Sequence, residues 1–459
     1  MRALHFSNSE AGLVRQGNAL SAANRAAAAF PAWSTTAPEK RAAILNKTAD
    51  LILTHSDEFC RLIASEIGGS ETWARFNCEL AAKILRQAAT ICFYPTETTS
   101  AGSDPSVANI LLRQPVGVVL GIAPWNAPVV LGVRAIAAPL ACGNTVVLKA
   151  SELCPQVHAL IIDLLHKAGL PQGTACLVTN TPEEAADIVD ALVGHTAIRR
   201  VNFTGSTRVG RLVAETCARH LKPAIMELSG KAALIVRSDA DLSRAAEAAT
   251  YGAFFNQGQV CISTERIIVD ALIADSFVAK LAERAKGLTT GDPRNGDFDL
   301  GTLISADSAT RVMRLVEDAL DKGAVLVAGG SIDNKIMQPT VLDQVDSSMQ
   351  IYSEESFGPV AAILRSSSDD ESISIANDTQ FGLAAAIFST DLGAAHQMAR
   401  QLECGICHIN GPTVYDDPAM PFGGMKDSGY GKLGGDEAVR EFTELRWVAV
   451  HSGTQSYIL

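Results

Sequence analysis

With 47% hydrophobic but only 5% aromatic residues, a chain of 459 residues can bury a large, mostly aliphatic core, and its length points to two or three domains. Its net charge of −12 argues against a general nucleic-acid surface, which needs a basic stripe. Ten cysteines are too dilute for a disulfide scaffold, no apolar run reaches about 18 residues, and the nine histidines form no HExxH-like pair, so neither a membrane span nor a metal site is expected.

The opening segment MRALHFSNSEAGLVRQG lacks a charged stretch followed by an apolar one, so the expectation is a cytoplasmic protein without a secretory signal. Residues 18–94 predict two or three amphipathic helices, with apolar positions at i, i+3, i+4 and i+7 in KRAAILNKTADLILTHSDEFCRLIASEIG. Pro38 and Glu39 mark a helix start, and Gly68-Gly69 a stop. From about 106 the pattern turns β-rich, interrupted by Pro115 and Gly117. Strand candidates VGVVLGIA, NTVVLKA, ACLVTN, RRVNFTG and AALIVRS then alternate with helix candidates VVLGVRAIAAPLA, PQVHALIIDLLHKAG, EEAADIVDALVGH and STRVGRLVAETCARHL. Apolar strands with helical crossovers predict an α/β fold around a parallel sheet covered on both faces. A second α/β series runs from TERIIVD to GICHIN. The tail TELRWVAVHS reads as a strand that pairs with residues 106–120 or with another subunit.

Three features along this series bear on chemistry. Gly205-Ser206 leaves the strand RRVNF and opens a helix, a turn whose free N–H groups can hold a pyrophosphate, although no GxGxxG fingerprint is present. Lys149-Ala150-Ser151-Glu152 follows the strand NTVVL, at the end of a parallel strand where such sheets bind ligands. A carboxylate there accepts from ribose hydroxyls and repels a 2′-phosphate, which favours NAD over NADP; the alternative is a surface ion pair. Cys261, in FFNQGQVCIST, is a candidate nucleophile, and Glu227, in the apolar stretch AIMELSG, a candidate base with a raised pKa. The alternative for Glu227 is a salt bridge with Lys231. Cys404-Gly-Ile-Cys407-His408 matches the covalent-haem pattern C-x-x-C-H, but its flanks alternate like a buried strand, so no haem is expected.

Six blocks in order, GIAPWNAPV, VVLKASE, VNFTGSTRVG, MELSGKA, FFNQGQVC and EESFGPV, resemble the aldehyde dehydrogenase superfamily, and GICHIN and PFGGMKDSGYG extend the resemblance toward the C-terminus. It implies an aldehyde dehydrogenase-like α/β fold with a parallel-sheet NAD-binding domain (1–96 and 116–228), an α/β catalytic domain (229–436) and β-rich oligomerisation segments (97–115 and 437–459). It implies Cys261 as nucleophile, with its thiolate already partly formed near neutral pH, Glu227 as the base for deacylation, and Asn126 with the Cys261 N–H as oxyanion donors. For NAD it implies Lys149, Ser151 and Glu152 at the adenosine ribose, and Gly205, Ser206 and Val209 at the pyrophosphate turn. Glu355 and Phe357 fall at the nicotinamide riboside, with Ile122, Pro124, Trp125 and Leu228 as further cofactor contacts. A homodimer or homotetramer acting on a small aldehyde, with no nucleic acid, membrane or metal, completes the expectation.

The chain departs from the family pattern at several points. Ser229 stands where the usual motif has glycine, and Ala127 where many relatives carry a bulky aromatic. Ala135 replaces a common lysine, with Arg134 one position earlier. The segment GLPQGTACLVTNT lacks the usual glycine after its strand, and the helices begin within about twenty residues, where relatives have a longer lead with a β-hairpin, so part of a subunit contact is expected to be missing or trimmed. The stretch PWNAPVVLGVRAIA is similar to bacterial salicylaldehyde and vanillin dehydrogenases. It implies an aromatic, hydroxylated substrate in a pocket formed by Ala127, Leu131, Val260 and Ile262, with Arg134 as a cation acting at the reaction site; the alternative for Arg134 is a structural pairing with carboxylates at a domain interface. Competing functions are an aliphatic or semialdehyde dehydrogenase, a coenzyme A-acylating relative (which generally lacks a carboxylate at Glu227), a cysteine amidase or nitrilase built on Cys261, Glu227 and Lys231, and a non-catalytic protein on this fold.

Overall fold

The computed structural model describes residues 11–452, with side chains from residue 17 onward. Four helices come first: α1 (Ala11–Ser34), α2 (Pro38–Thr54), α3 (Ser56–Ile67) and α4 (Glu71–Ile91). That is more than the two or three expected. Pro38 opens α2 at its first position, His55 separates α2 from α3, and Gly68 closes α3 at φ 68°, a conformation that costs glycine little. Ser70 then caps α4 by accepting from the Trp73 N–H.

Strands β1 (Glu97–Ser100) and β2 (Val107–Pro115) form a small antiparallel sheet with the tail strand Thr443–His451, in continuous register from Val107 opposite His451 to Pro115 opposite Thr443. The tail therefore pairs with the early β segment, one of its two expected partners.

The first large sheet contains β3 (Val118–Ile122), β4 (Thr145–Lys149), β5 (Ala175–Val178), β6 (Ile198–Thr204) and β7 (Ala224–Glu227), in the spatial order β7-β6-β3-β4-β5, all parallel. Helices α5 (Pro128–Ala141), α6 (Pro155–Ala168), α7 (Ala185–Gly194) and α8 (Thr207–Arg219) connect them. The chain runs outward from β3 to β5 and returns to start β6 beside β3. Its direction reverses there, and a crevice opens beyond the carboxyl ends of β3 and β6. Burial of every residue of β3 and β4 explains their unbroken apolar runs. The short β7 was not evident in the sequence as a strand; only four residues separate a loop from the Ser229-Gly230 bend.

The second sheet has seven strands in the order Val325–Ala328, Thr340–Asp343, Val360–Ser366, β9 (Thr264–Asp270), β8 (Ala232–Val236), Ala384–Phe388 and Ile406–Ile409. Only the Val325–Ala328 edge is antiparallel. The chain crosses from one sheet to the other through Leu228, Ser229 and Gly230. Gly429–Tyr430 returns to add an antiparallel edge to β7, and Phe422, Leu433, Val439 and Phe442 pack into the core beside α4 and α5. No helix among the described residues is long and apolar enough to cross a membrane.

Candidate active site

The crossing between the sheets brings two reactive side chains together. Glu227 is the last residue of β7, at the carboxyl end of the first sheet. Cys261 lies just before β9, after α9 (Leu242–Phe254) and a contorted turn. In that turn Asn256 and Gln257 hold φ of 50° and 56°, and Gly258 holds 70°. Left-handed non-glycine residues in succession are strained and need external support. Asn256 Nδ2 donates to the Asn126 carbonyl at 3.0 Å, Gln257 Nε2 to the Thr302 carbonyl at 2.9 Å, and the Ile304 N–H to Gln259 Oε1 at 3.0 Å. A side chain at Gly258 would meet the Gly358 carbonyl oxygen at 2.2 Å, and one at Gly230 the Cys261 carbonyl oxygen at 2.2 Å, so both positions require glycine.

Cys261 and Glu227 lie close enough to act on each other electrostatically. Burial lifts the Glu227 carboxyl to about 7, against the lowering effects of Cys261 and Arg134, and its Oε1 has no partner among the described residues. Burial and the adjacent Glu227 carboxylate push the Cys261 thiol well above its ordinary value. The expectation that a thiolate is already partly formed near neutral pH is thus corrected. Lys231, the alternative partner for Glu227, instead forms a buried ion pair with Glu265 at 2.5 Å. Glu265 in turn accepts from the N–H groups of Ser356 and Phe357, which fixes the 354–357 loop.

Two cavities meet at Cys261. One, of about 320 Å³, opens at the crevice beyond β3 and β6 and is lined by Pro124, Trp125, Gly205, Ser206, Leu228, Glu355 and Phe357, together with Asn126, Leu131, Glu227 and Cys261. Ser206 caps α8 by accepting from the Val209 N–H, so the Gly205-Ser206 turn lies at a helix N-terminus. Trp125 and Phe357 meet edge to face with centroids 5.8 Å apart. Burial and Glu265 raise Glu355 to about 7, against the lowering effect of Ser229 and of the Gly230 N–H, which donates to it at 3.0 Å. Ser229, the departure from the family motif, therefore lies beside a cavity-lining carboxylate.

Ile122, Lys149, Ser151, Glu152 and Val209 stand outside that lining. Ile122 and Lys149 end the adjacent strands β3 and β4, paired in register. Lys149 and Glu152 form an ion pair, with Lys149 buried, and Glu152 also accepts from Asn180 Nδ2 at 2.7 Å. Burial pushes the Glu152 carboxyl up, but Lys149 and these hydrogen bonds outweigh it and hold the group below its ordinary value.

The second cavity, of about 190 Å³, extends to the other side of Cys261. Ala127, Leu131, Val260, Ile262 and Arg134 all line it, as the sequence suggested. Trp73, Phe76, Glu79, Leu80, Lys83, Tyr251, Val414, Tyr415, Asp416 and Phe422 also line it and were not anticipated, because they come from α4, α9 and a late loop that carries no periodic signal. Arg134 lines the cavity and is ion-paired with Asp416, and its guanidinium lies 4.4 Å from the centre of the Phe422 ring. Asn126 borders both cavities; its Nδ2 donates to the Gln259 carbonyl at 3.0 Å, and its own carbonyl accepts from Trp73 Nε1 at 3.0 Å. Cys404, Cys407 and His408 lie at and before the strand Ile406–Ile409, both cysteines as free thiols. No group of three metal-ligating side chains occurs among the described residues.

A sequence model of the aldehyde dehydrogenase family matches residues 10–448. The vanillin dehydrogenase of Pseudomonas fluorescens is 53% identical over 429 residues, covering 94% of this chain and 89% of that protein. A salicylaldehyde dehydrogenase of Pseudomonas putida is 43% identical over 441 residues, covering 96% and 91%. The crystal structure of the salicylaldehyde dehydrogenase of Pseudomonas putida G7 complexed with salicylaldehyde superposes with a TM-score of 0.95 at 42% identity, covering 97% of this chain and 92% of that one. A partly buried cysteine and a buried carboxylate at the meeting point of two cavities, on an α/β scaffold shared along nearly the whole chain, identify the protein as an enzyme, an oxidoreductase that belongs to the aldehyde dehydrogenase family.

Proposed function

We propose that the protein oxidises aromatic aldehydes to carboxylic acids with NAD⁺, through a thiohemiacetal and a thioester on Cys261. The observation that carries this reading is the position of Cys261 between the two cavities and against Glu227. The aldehyde enters through the smaller cavity, and the nicotinamide is held in the larger one by Trp125, Glu355 and Phe357. The thiol proton passes to solvent as sulfur adds to the carbonyl carbon, which leaves the Glu227 carboxylate free to act in the second half of the reaction. The oxyanion that forms is stabilised by Asn126 Nδ2, whose second hydrogen is not used by Gln259, and by the Cys261 N–H; loss of one such donor typically costs 10²–10³ in rate. Bound NAD⁺ would supply the hydride acceptor that allows the tetrahedral adduct on Cys261 to become a thioester. Glu227 then deprotonates the water that releases the acid, and burial gives it a pKa of about 7, suited to a general base.

The aromatic assignment rests on the apolar, ring-lined cavity in front of Cys261 and on the relatives named for vanillin and salicylaldehyde. NAD is favoured over NADP because Glu152 would repel a 2′-phosphate. The proposed domains are 1–96 with 116–228 for the cofactor, 229–436 for catalysis, and 97–115 with 437–459 for assembly. Leu445 and Trp447, 57% and 67% exposed on the tail strand, supply an apolar face for a homodimer or homotetramer. A cytoplasmic location is part of this reading, and the ten cysteines are free thiols. A panel of benzaldehyde, salicylaldehyde, vanillin and hexanal, followed by NADH absorbance, tests the reading. Higher kcat/KM for the aromatic aldehydes is expected; equal or better turnover of hexanal would overturn the aromatic assignment.

A further inference from the structure

We propose that Asp416 is the specificity-determining acceptor for a ring hydroxyl on the substrate, so that the site selects hydroxylated benzaldehydes over rings that lack an O–H donor. The inference rests on the aromatic reading above and adds a hydrogen-bond criterion to it.

The Asp416 side chain is only 10% exposed, and its ion partner Arg134 only 7%. Arg134 occupies Oδ2. Oδ1 is shielded from solvent and has no hydrogen-bond partner among the described residues, although Asp416 lines the cavity that contains Cys261. A buried carboxylate oxygen without a donor is an uncommon state in a folded protein, and at a cavity wall it signals a ligand group that completes it. Two nearby donors are already engaged, Trp73 Nε1 with the Asn126 carbonyl and Arg134 between Asp416 and the Phe422 ring, whereas His408 Nε2 is buried without a partner among the described residues. These contacts fix the carboxylate at the cavity wall.

A phenolic hydroxyl is a strong donor to a carboxylate, and its flat ring suits a wall built from Phe422, Leu131 and Val130. An ammonium or guanidinium ligand would instead have to share the site with Arg134. Benzaldehyde leaves Oδ1 unpaired, and a methoxy group sets a second acceptor against it. A site that leaves its buried polar atom unsatisfied discriminates against the analogue by far more than a missing methylene would.

The test compares kcat/KM for the three hydroxybenzaldehyde isomers, the matching methoxybenzaldehydes, benzaldehyde and hexanal. In the unaltered enzyme at least one hydroxy isomer is expected to exceed its methoxy counterpart and benzaldehyde by about tenfold or more. Removing both charges in an R134M/D416L double variant leaves neither one buried and unpaired, and the hydroxy-to-methoxy ratio is expected to fall toward one. Ratios near one for every isomer in the unaltered enzyme would overturn the proposal. So would a variant that keeps its melting temperature and loses all substrates equally. Hexanal separates the two readings: if it matches benzaldehyde, the aromatic assignment fails, whereas a flat hydroxy-to-methoxy ratio with poor hexanal turnover removes the role of Asp416 alone.

Discussion

Replacing Glu227 by glutamine is expected to stabilise the fold at alkaline pH while removing turnover. Burial lifts this carboxyl from an ordinary value of 4.5 to about 7. Between those two values the native state holds a proton that the unfolded chain has already released. Stability therefore falls as pH rises through this window and stays lower above it. A gap of roughly 2.5 pH units corresponds to about 3 kcal/mol at pH 8. A chain of 459 residues unfolds with an entropy of about 1 kcal/mol/K near 60 °C, so the penalty amounts to about 3 °C in Tm. Glutamine keeps the shape but cannot ionise. Differential scanning fluorimetry should find Glu227→Gln about 3 °C more stable than the parent at pH 8, with the difference shrinking to about 1 °C or less at pH 5. Glu355 titrates in both proteins and cancels from the comparison. A Tm difference that does not change with pH would refute the assignment of Glu227 as a buried acid titrating near 7.

Three other outcomes follow from the geometry. Gly230→Ala sets a methyl group 2.2 Å from the Cys261 carbonyl oxygen; steady-state assays should find kcat/KM lowered by at least about 10²-fold, and normal activity would mean that the crossing relaxes freely. Glu152→Ala removes the carboxylate held by Lys149 and Asn180; the NADP-to-NAD ratio of kcat/KM should rise, and an unchanged ratio would count against the ribose assignment. Trp447→Glu places a charge on the exposed apolar face of the tail strand; size-exclusion chromatography with light scattering should record a smaller assembly, and an unaltered mass would exclude that face from the subunit contact.

The two sheets and most of their helices were legible because each buried strand is a short apolar run and each crossover helix carries a 3.6-residue period. The crevice could also be located, since Ile122, Lys149 and Gly205 follow strands whose order reverses between β3 and β6. Cys261 and Glu227 were legible as motifs, but their contact was not. It depends on the Ser229-Gly230 crossing and on the strained turn at Asn256 and Gln257, neither of which has a periodic signature. Asp416 and Phe422 escaped notice for the same reason: they lie in a loop, and only the packing of that loop against α5 sets them beside Arg134. The protonation state of Cys261 was misjudged because desolvation is a property of the assembled site and not of the residues flanking the thiol.

The most direct test of the account is to trap the covalent intermediate. Glu227→Gln, mixed with NAD⁺ and benzaldehyde and quenched in acid, should release NADH up to one equivalent per active site. It should gain the mass of one benzoyl group, located by peptide mass spectrometry on Cys261. NADH formation without an acyl adduct, or an adduct on another of the ten cysteines, would contradict it.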